Sequence, residues 1–343
     1  MGWTTFHNRR AAQIENNGIR LTVTAEGGHI AEILHKQSGV NPLWIPPWPS
    51  IEPSIWNRDK HPEYGEDAES KLLSGIMGHN LCLDLFGAPS PEEAVAGMTV
   101  HGEASILPYQ ISFSDHQLTA SCFLPTAQLQ FERRIKLDGA LILITETVEN
   151  VAILDRPIAW TQHVTLGPPF LEKGVTQFRA PGTKARPLGT DHDFEWPMKP
   201  VGGGLAEDMR VFTNATASGG FDSVLLNPQH ERAYFLSFSP RTKVLFGYVW
   251  NRADFPWLGI WEENNGREHP PWNRRTLTRG MEFGTSPVPE SRRQMIDRHS
   301  MFGVPGYRWL PAKTKARVAY SAFITSAESI PESLEQLQIH VPA

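Results

Sequence analysis

The sequence predicts an all-β protein of antiparallel sheets, arranged as a sandwich or a closed barrel. Apolar and polar residues alternate with a period of two in segments from one end of the 343-residue chain to the other. Helix signals are few, and 28 glycines with 28 prolines indicate many turns. Many strands without intervening helices exclude a parallel sheet covered by helices.

The clearest strands lie in the middle of the chain. Residues 129–137 and 141–148 alternate on either side of Asp138-Gly139, a dipeptide that tolerates the positive φ angles of a tight hairpin. A second pair is predicted at 233–238 and 243–250, an early strand at 19–23 and a late one at 317–325. These segments predict a strand-rich core along the whole chain.

Helix and linker signals are weak. Ser90-Pro91-Glu92-Glu93 combines a helix N-cap, a first-turn proline and acids that suit the helix dipole, so one short helix is predicted there. The Pro- and Gly-rich stretches 43–53, 167–204 and 264–290 are predicted loops, too short or too apolar for domain linkers. We therefore predict that residues 1–343 form a single domain.

Charge and composition exclude several classes of partner. The net charge is -5 and no block of like charge occurs, so neither nucleic acid nor an acidic membrane surface is an expected partner. The longest apolar run, residues 141–144, is far too short to span a bilayer, and the N-terminus lacks the apolar core of a signal peptide. A cytoplasmic location is expected, with Cys82 and Cys122 as reduced core thiols.

Three histidines are candidate site residues. His101 precedes a glycine, which permits close approach of a ligand, although a surface loop would give the same pattern. His163 shares one face of a predicted strand with Thr161 and Thr165, and such a polar row faces either solvent or a binding cavity. His79 lies between glycines, followed by Asn80, and is equally ambiguous.

Two acids are further candidates. Glu282 lies between Met281 and Phe283, where desolvation would raise the pKa of its carboxyl group toward useful basicity. A buried acid paired with an arginine would look the same. Asp222 follows Gly219-Gly220-Phe221 and is by itself more typical of a turn.

Eleven tryptophans are many for this length, and four of them, Trp250, Trp257, Trp261 and Trp272, fall within a short stretch. Sugars present flat C–H faces that pack on aromatic rings, while their hydroxyls need directional polar partners. The tryptophans therefore indicate either a carbohydrate cleft or the core of a large sandwich.

Cofactor motifs are absent from the sequence. It contains no phosphate-binding loop, no dinucleotide fingerprint, and no close-spaced zinc or calcium motif. A metal ion would need the dispersed ligands His79, His101 and His163, so neither a cofactor nor a metal is predicted. A small-molecule carbohydrate is the expected partner, and the sequence does not indicate an oligomeric state.

Seven segments, taken in order, resemble the galactose mutarotase-like (aldose 1-epimerase) family. They extend over roughly residues 18–325, and their order and spacing carry the resemblance together. The segments are Glu26-Gly27-Gly28-His29-Ile30-Ala31, Gly75-Ile76-Met77-Gly78-His79-Asn80, Val100-His101-Gly102, Thr161-Gln162-His163 with Gly167-Pro168-Pro169-Phe170, Gly220-Phe221-Asp222, Met281-Glu282-Phe283-Gly284-Thr285-Ser286-Pro287 and Leu310-Pro311-Ala312-Lys313-Thr314.

The resemblance implies a large antiparallel β-sandwich that interconverts the anomers of an aldose. It implies Glu282 as catalytic base and His163 as catalytic acid. The implied sugar contacts are His101, His79, Asn80, Asp222 and Trp261. His79 stands where the family carries an arginine.

Three other functions remain open at this point. A carbohydrate-binding protein of the same fold would keep the cleft without turnover. A metal-dependent isomerase or lyase of jelly-roll type would use the three histidines, although the expected His-x-His spacing is missing. An epimerase of phosphorylated sugars would need phosphate contacts, for which Arg58, Arg274 and Arg275 are candidates.

Overall fold

Antiparallel strands are the main regular structure in the computed structural model, which describes residues 1–114, 116–337 and 342. Within these residues the strands are β1 Gly2–Phe6, β2 Arg9–Glu15, β3 Ile19–Thr24, β4 Ile30–His35, β5 His79–Asp84, β6 Gln110–Ser114, β7 Gln117–Leu124, β8 Leu129–Asp138, β9 Leu141–Asn150, β10 Arg156–Leu166, β11 Gln177–Arg179, β12 Gly182–Pro187, β13 Phe194–Glu195, β14 Met198–Gly202, β15 Leu205–Asp208, β16 Ser218–Leu226, β17 Arg232–Ser239, β18 Val244–Asn251, β19 Trp257–Asn264, β20 Arg279–Gly284, β21 Ser300–Met301, β22 Val304–Pro305, β23 Arg308–Leu310 and β24 Lys315–Ser326.

Helix is confined to short pieces in the described residues. They are α1 Ser70–Leu73, α2 Pro91–Val95 and α3 Arg292–Arg298, with 3-10 turns at Pro62–Tyr64, Glu103–Ser105 and Leu334–Gln336. The predicted helix start is confirmed, because the Ser90 side chain accepts from the Glu93 backbone N–H and Glu93 returns the bond in a capping box. None of the helices in the described part of the chain is long and apolar enough to cross a membrane.

Two large antiparallel sheets form the body of the protein. The first has twelve strands, in the order β1-β2-β3-β4-β5-β10-β20-β19-β16-β12-β13, with β23 also paired to β10. The second has eight, in the order β11-β17-β18-β24-β9-β8-β7-β6. The predicted all-β antiparallel sandwich is confirmed.

Alternation along the strands fills the space between the sheets. On β8 and β9 every second side chain is buried, and the two strands turn at Gly139 with a φ of 58°, as the hairpin prediction required. β10 contributes Trp160, Val164 and Leu166 to the same apolar core. The other face of β10 is therefore free to carry polar groups toward the outside of the sandwich.

A polar network crosses this core behind the middle of β10. Arg133 and Glu146 form a fully buried ion pair, with Arg133 Nε 2.7 Å from Glu146 Oε1. Tyr320 donates its hydroxyl to Glu146, Gln162 donates its amide N–H to the same carboxylate, and His79 Nε2 donates to Gln162 Oε1 at 2.9 Å. Every member has a partner, as a buried charge requires.

The segment between β4 and β5 folds over the outer face of the twelve-stranded sheet. Trp44, Trp48, Leu72 and Ile76 pack there with Trp272 into a second apolar cluster. Trp44 and Trp272 are stacked, with ring centroids 6.2 Å apart. This layer forms one side of a deep cavity above β10 and β20.

Candidate active site

A row of four residues crosses the outer face of the twelve-stranded sheet. Asn80 on β5 pairs with His163 on β10, His163 pairs with Glu282 on β20, and Glu282 pairs with Gly259 on β19. Directly opposed residues of antiparallel strands point to the same face of a sheet. The pleat therefore places the imidazole and the carboxylate side by side, and the missing side chain of Gly259 leaves room for the Phe221 ring, which a Cβ there would meet at 2.5 Å.

Glu282 and His163 form the chemical centre of the cavity. Glu282 Oε1 lies 3.1 Å from His163 Nε2, and the two residues are only 3% and 5% exposed. The contact lacks hydrogen-bond alignment, so Glu282 Oε1 has no hydrogen-bond partner among the described residues. His163 Nδ1 contacts Thr165 Oγ1 at 3.1 Å, which fixes the plane of the ring. An unpartnered buried carboxylate oxygen is available to a ligand.

Burial shifts both groups of this pair toward their neutral forms. Desolvation raises the pKa of Glu282 well above its ordinary value, and desolvation, together with the nearby His101, lowers the pKa of His163 well below its ordinary value. Glu282 protonated beside neutral His163 holds the same number of protons as ionised Glu282 beside the imidazolium. The two forms therefore differ only in which residue of the pair carries the proton.

His101 is held rigidly beside this pair. Its Nδ1 lies 2.6 Å from the Phe86 carbonyl oxygen, so Nδ1 carries the proton and Nε2 is the acceptor in the neutral ring. His101 has a φ of 62°, and a Cβ on the following Gly102 would meet the Leu83 carbonyl oxygen at 2.0 Å. The glycine noted in the sequence thus permits the backbone approach that turns His101 toward His163, at a ring distance of 5.2 Å.

The cavity has a volume of about 460 Å³, and we group its polar, apolar and charged lining residues into three sets. Its floor is polar and consists of His101, His163, Thr165 and Glu282. One side, called here the apolar wall, consists of Trp44, Leu72, Leu73, Ile76, Val100 and Trp272. The charged rim consists of Glu69, Glu262, Glu263 and Arg267.

Aromatic rings lie close to His163 and Glu282. Trp261 lies 5.8 Å from the His163 ring and 6.0 Å from Trp272, measured between ring centroids. Both tryptophans line the cavity, whereas Trp250 stacks on Phe283 in the core at 4.1 Å and Trp257 is fully buried elsewhere. Two of the four clustered tryptophans thus belong to the cavity and two to the core.

The structure does not bring His79 or Asp222 into the cavity. His79 projects between the sheets, where Nδ1 lies 3.0 Å from the Tyr248 hydroxyl, and burial lowers its pKa. Asp222 pairs with Lys199 at 2.7 Å, while its neighbour Phe221 lines the cavity. We therefore correct both predicted sugar contacts, because successive side chains on a strand face opposite ways.

Asn80 faces the cavity side of the sheet but lies beneath its surface. It is fully buried, its Nδ2 donates to Ser105 Oγ at 3.2 Å, and its Oδ1 has no partner among the described residues. Since it is the direct cross-strand neighbour of His163, Asn80 supports the floor of the cavity from below.

Sequence reasoning missed two groups that shape the site. One is Gly280 on β20, where a Cβ would come within 2.5 Å of Glu282 Oε1. The other is the charged rim, in which Arg267 lies 3.2 Å from Glu69 and 3.3 Å from Glu263 and packs over Trp272. The glycine two residues before Glu282 could have indicated that space is needed beside the carboxylate. The ion pair between Arg267 and Glu69 could not be predicted from local sequence, because the two positions are 198 residues apart.

The arginines considered for a phosphate do not line the cavity. Arg58, Arg274 and Arg275 lie outside it, while its rim carries three glutamates.

A wider hollow of about 600 Å³ is formed by residues 228–232 and 251–254, which are mostly exposed loop positions. Buried groups with shifted pKa values and an unpartnered carboxylate place the candidate active site in the 460 Å³ cavity.

Solved structures with the same architecture were found by comparison of the fold. A candidate aldose 1-epimerase from Klebsiella pneumoniae subsp. pneumoniae MGH 78578 is 14% identical, with 94% of this chain and 80% of that chain covered and a TM-score of 0.69. Galactose mutarotase-like proteins from Clostridium acetobutylicum and Lactobacillus casei ATCC 334 are 12% and 15% identical, with TM-scores of 0.63 and 0.60. The alignments cover 94% and 92% of this chain and 98% and 100% of those proteins.

No family model matches the sequence, and no curated protein matches it. Identities of this size establish architecture alone. The chain has the galactose mutarotase-like fold that its sequence predicted.

Proposed function

We propose that the protein is an aldose 1-epimerase-like enzyme that interconverts the anomers of an aldose by acid-base opening of the ring. The observation that carries the proposal is the contact of 3.1 Å between Glu282 Oε1 and His163 Nε2 on the floor of a buried cavity. Anomer exchange needs one group that removes a proton from the C1 hydroxyl and one that protonates the ring oxygen. These two oxygens are bonded to the same carbon, so the two catalytic groups must lie close together.

The proposed reaction begins with ionised Glu282 and protonated His163. Glu282 accepts the proton of the C1 hydroxyl while His163 Nε2 gives its proton to the ring oxygen. The C1–O5 bond breaks and its electron pair remains on oxygen, which leaves an open-chain aldehyde and a neutral pair. Rotation about C1–C2 exposes the other face of the carbonyl, and ring closure with both proton transfers reversed gives the other anomer.

Burial of the pair sets a condition on this assignment. In the free cavity, desolvation favours the neutral forms of both side chains, so the proposed reaction requires polar atoms of the bound sugar to stabilise the charged pair. Each positioned acid or base contributes typically about 10²–10⁴-fold to the rate. Because product formation restores the starting protonation, the cycle consumes no proton.

The remaining surfaces of the cavity suit a carbohydrate. Trp261, which is half-buried, offers an aromatic ring for C–H groups, and His101 Nε2 offers an acceptor for a hydroxyl. The rim glutamates disfavour a phosphorylated sugar, because the rim's cation, Arg267, is already paired to two of them. We therefore propose a sugar without a phosphate group as the substrate.

The experiment is NMR exchange spectroscopy between anomers of free and 6-phosphorylated aldoses, with sugar binding measured in parallel. Wild type should accelerate exchange of a free aldose, whereas Glu282→Gln and His163→Asn should lose the acceleration and still bind the sugar. Glu231→Gln, at an exposed position outside the cavity, is the matched control. Binding without acceleration by wild type would instead establish the alternative, a non-catalytic carbohydrate-binding protein.

A further inference from the structure

The apolar wall contains a continuous aliphatic surface. Leu72, Leu73, Ile76 and Val100 are between 3% and 7% exposed and all line the cavity. Their side chains carry no atom that donates or accepts a hydrogen bond. A hydroxyl placed against such a surface loses water without a replacement partner, whereas an apolar substituent does not.

The wall adjoins the catalytic floor directly. The Trp44 backbone N–H donates to the Thr165 carbonyl oxygen at 2.8 Å, and Thr165 Oγ1 contacts His163 Nδ1. On the other side Val100 immediately precedes His101. Glu262 and Glu263 of the charged rim lie near the end of β19, and Glu69 immediately precedes α1, which carries Leu72 and Leu73. A ligand that meets the imidazole of His163 therefore also meets the apolar wall.

The chemistry of the ring identifies which part of the sugar that is. In the proposed mechanism His163 protonates the ring oxygen, which is bonded to C1 on one side and to C5 on the other. C5 carries C6, so the C6 substituent lies two bonds from the oxygen that meets His163. The hydroxyls on C2, C3 and C4 lie on the opposite edge of the ring, away from the oxygen that meets His163.

We infer that the cavity selects a 6-deoxyaldose, whose C6 is a methyl group packed on Leu72, Leu73, Ile76 and Val100. This inference rests on the proposed function, because it uses the position of the ring oxygen at His163. A methyl group gains from burial against aliphatic side chains. A CH2OH group in the same place leaves its hydroxyl unpaired, and a hydrogen in its place leaves a void.

Two series of sugars that differ only at C5 test the inference. The galacto series is D-galactose, 6-deoxy-D-galactose and L-arabinose, and the gluco series is D-glucose, 6-deoxy-D-glucose and D-xylose. The measurement is kcat/KM for anomer exchange by wild type. We expect the 6-deoxy member of the accepted series to exceed the other two by about tenfold or more, the range that one group contributes in an apolar pocket.

Three outcomes are distinct. A preference for the 6-deoxy sugar supports the inference. Acceleration of exchange with an equal or higher kcat/KM for the hexose overturns it and leaves the proposed function standing. Absence of acceleration for every sugar overturns both, since the mechanism itself would then be missing.

A variant of the wall provides an independent test. Ile76→Thr keeps the β-branched shape and adds a hydroxyl to the wall, so it should raise kcat/KM for the hexose relative to its 6-deoxy partner. Ile153→Thr is the matched control, because Ile153 is 82% exposed and does not line the cavity. An unchanged ratio in a folded Ile76→Thr protein would show that the wall does not contact C6.

Discussion

Glu282 and His163 are direct cross-strand neighbours on β20 and β10, with Oε1 and Nε2 3.1 Å apart. Both side chains thus arise from the centre of a twelve-stranded sheet and not from loops. Groups held on paired strands keep their separation more accurately than groups on mobile segments. The relative position of Glu282 and His163 is therefore a property of the register between the two strands.

Gly280 gives a way to move the carboxylate without unfolding the sheet. An added Cβ would lie 2.5 Å from Glu282 Oε1 and 3.1 Å from Trp261 Cβ, so Gly280→Ala should displace the tip of a flexible side chain. We expect kcat for anomer exchange to fall by about tenfold or more with little change in the melting temperature. Gly2→Ala, where a Cβ meets nothing within 4 Å, is the control. Full activity of Gly280→Ala would show that the carboxylate position is not critical.

The pH dependence of kcat/KM should be bell-shaped, with limbs shifted by burial. Addition of a second proton to the pair creates a net positive charge, so the acid limb should lie below the ordinary histidine pKa of 6.5. Removal of the shared proton creates a net negative charge, so the basic limb should lie well above the ordinary glutamate pKa of 4.5. A profile that falls through 4.5 as the pH decreases and is otherwise flat would indicate a solvent-exposed glutamate acting alone.

The free energy of unfolding should depend on pH because the pKa of Glu282 is raised in the folded state. Below pH 4.5 both the folded and the unfolded states hold the Glu282 proton. As the pH rises, the unfolded state releases it first, so wild type should lose up to about 1.4 kcal/mol per pH unit from this group. Glu282→Gln has no such proton and should gain stability relative to wild type above pH 4.5. Urea unfolding at several pH values measures the difference, and a constant difference would contradict the shift.

The buried ion pair between Arg133 and Glu146 should be costly to break. Glu146→Gln removes the charge that faces Arg133 and turns an N–H toward one of the donors around the carboxylate, Tyr320 or Trp160. We expect a loss of about 3–5 kcal/mol in the free energy of unfolding, measured in urea. The double variant Arg133→Met with Glu146→Leu should lose less than Glu146→Gln. A larger loss in the double variant would mean that packing, and not the unpaired charge, dominates.

Local patterns were sufficient for the strands and for two residues, Glu282 and His163, that the structure brings into contact. The alternation in 129–137 and 141–148 and the Asp138-Gly139 turn correspond to β8 and β9, and the Ser90 signal corresponds to α2. Glu282 and His163 were predicted from their sequence surroundings and from the family resemblance, and the structure places them in contact. Each depends on a short segment whose period reveals which residues share a face.

The predicted sugar contacts were wrong where a shift of one position along a strand decides which face of the sheet a side chain occupies. His79 and Asn80 are adjacent on β5, so only one of them can point to the cavity side, and it is Asn80. The same holds on β16, where Phe221 lines the cavity and the adjacent Asp222 does not. The apolar wall and the charged rim could not be predicted for another reason. Most of their residues come from segments 65–76 and 265–278, and how these segments fold over the sheet is not visible in a local sequence pattern.

A double-mutant cycle on the central pair tests the account most directly. Anomer exchange would be measured by NMR for wild type, Glu282→Gln, His163→Asn and the double variant with an accepted aldose. If the two groups act as one unit, the exchange rate should fall by about 10²–10⁴-fold in each single variant. The rate of the double variant should be little lower than that of the less active single variant. A single variant that keeps wild-type exchange rates would contradict the assignment of that residue and with it the proposed acid-base mechanism.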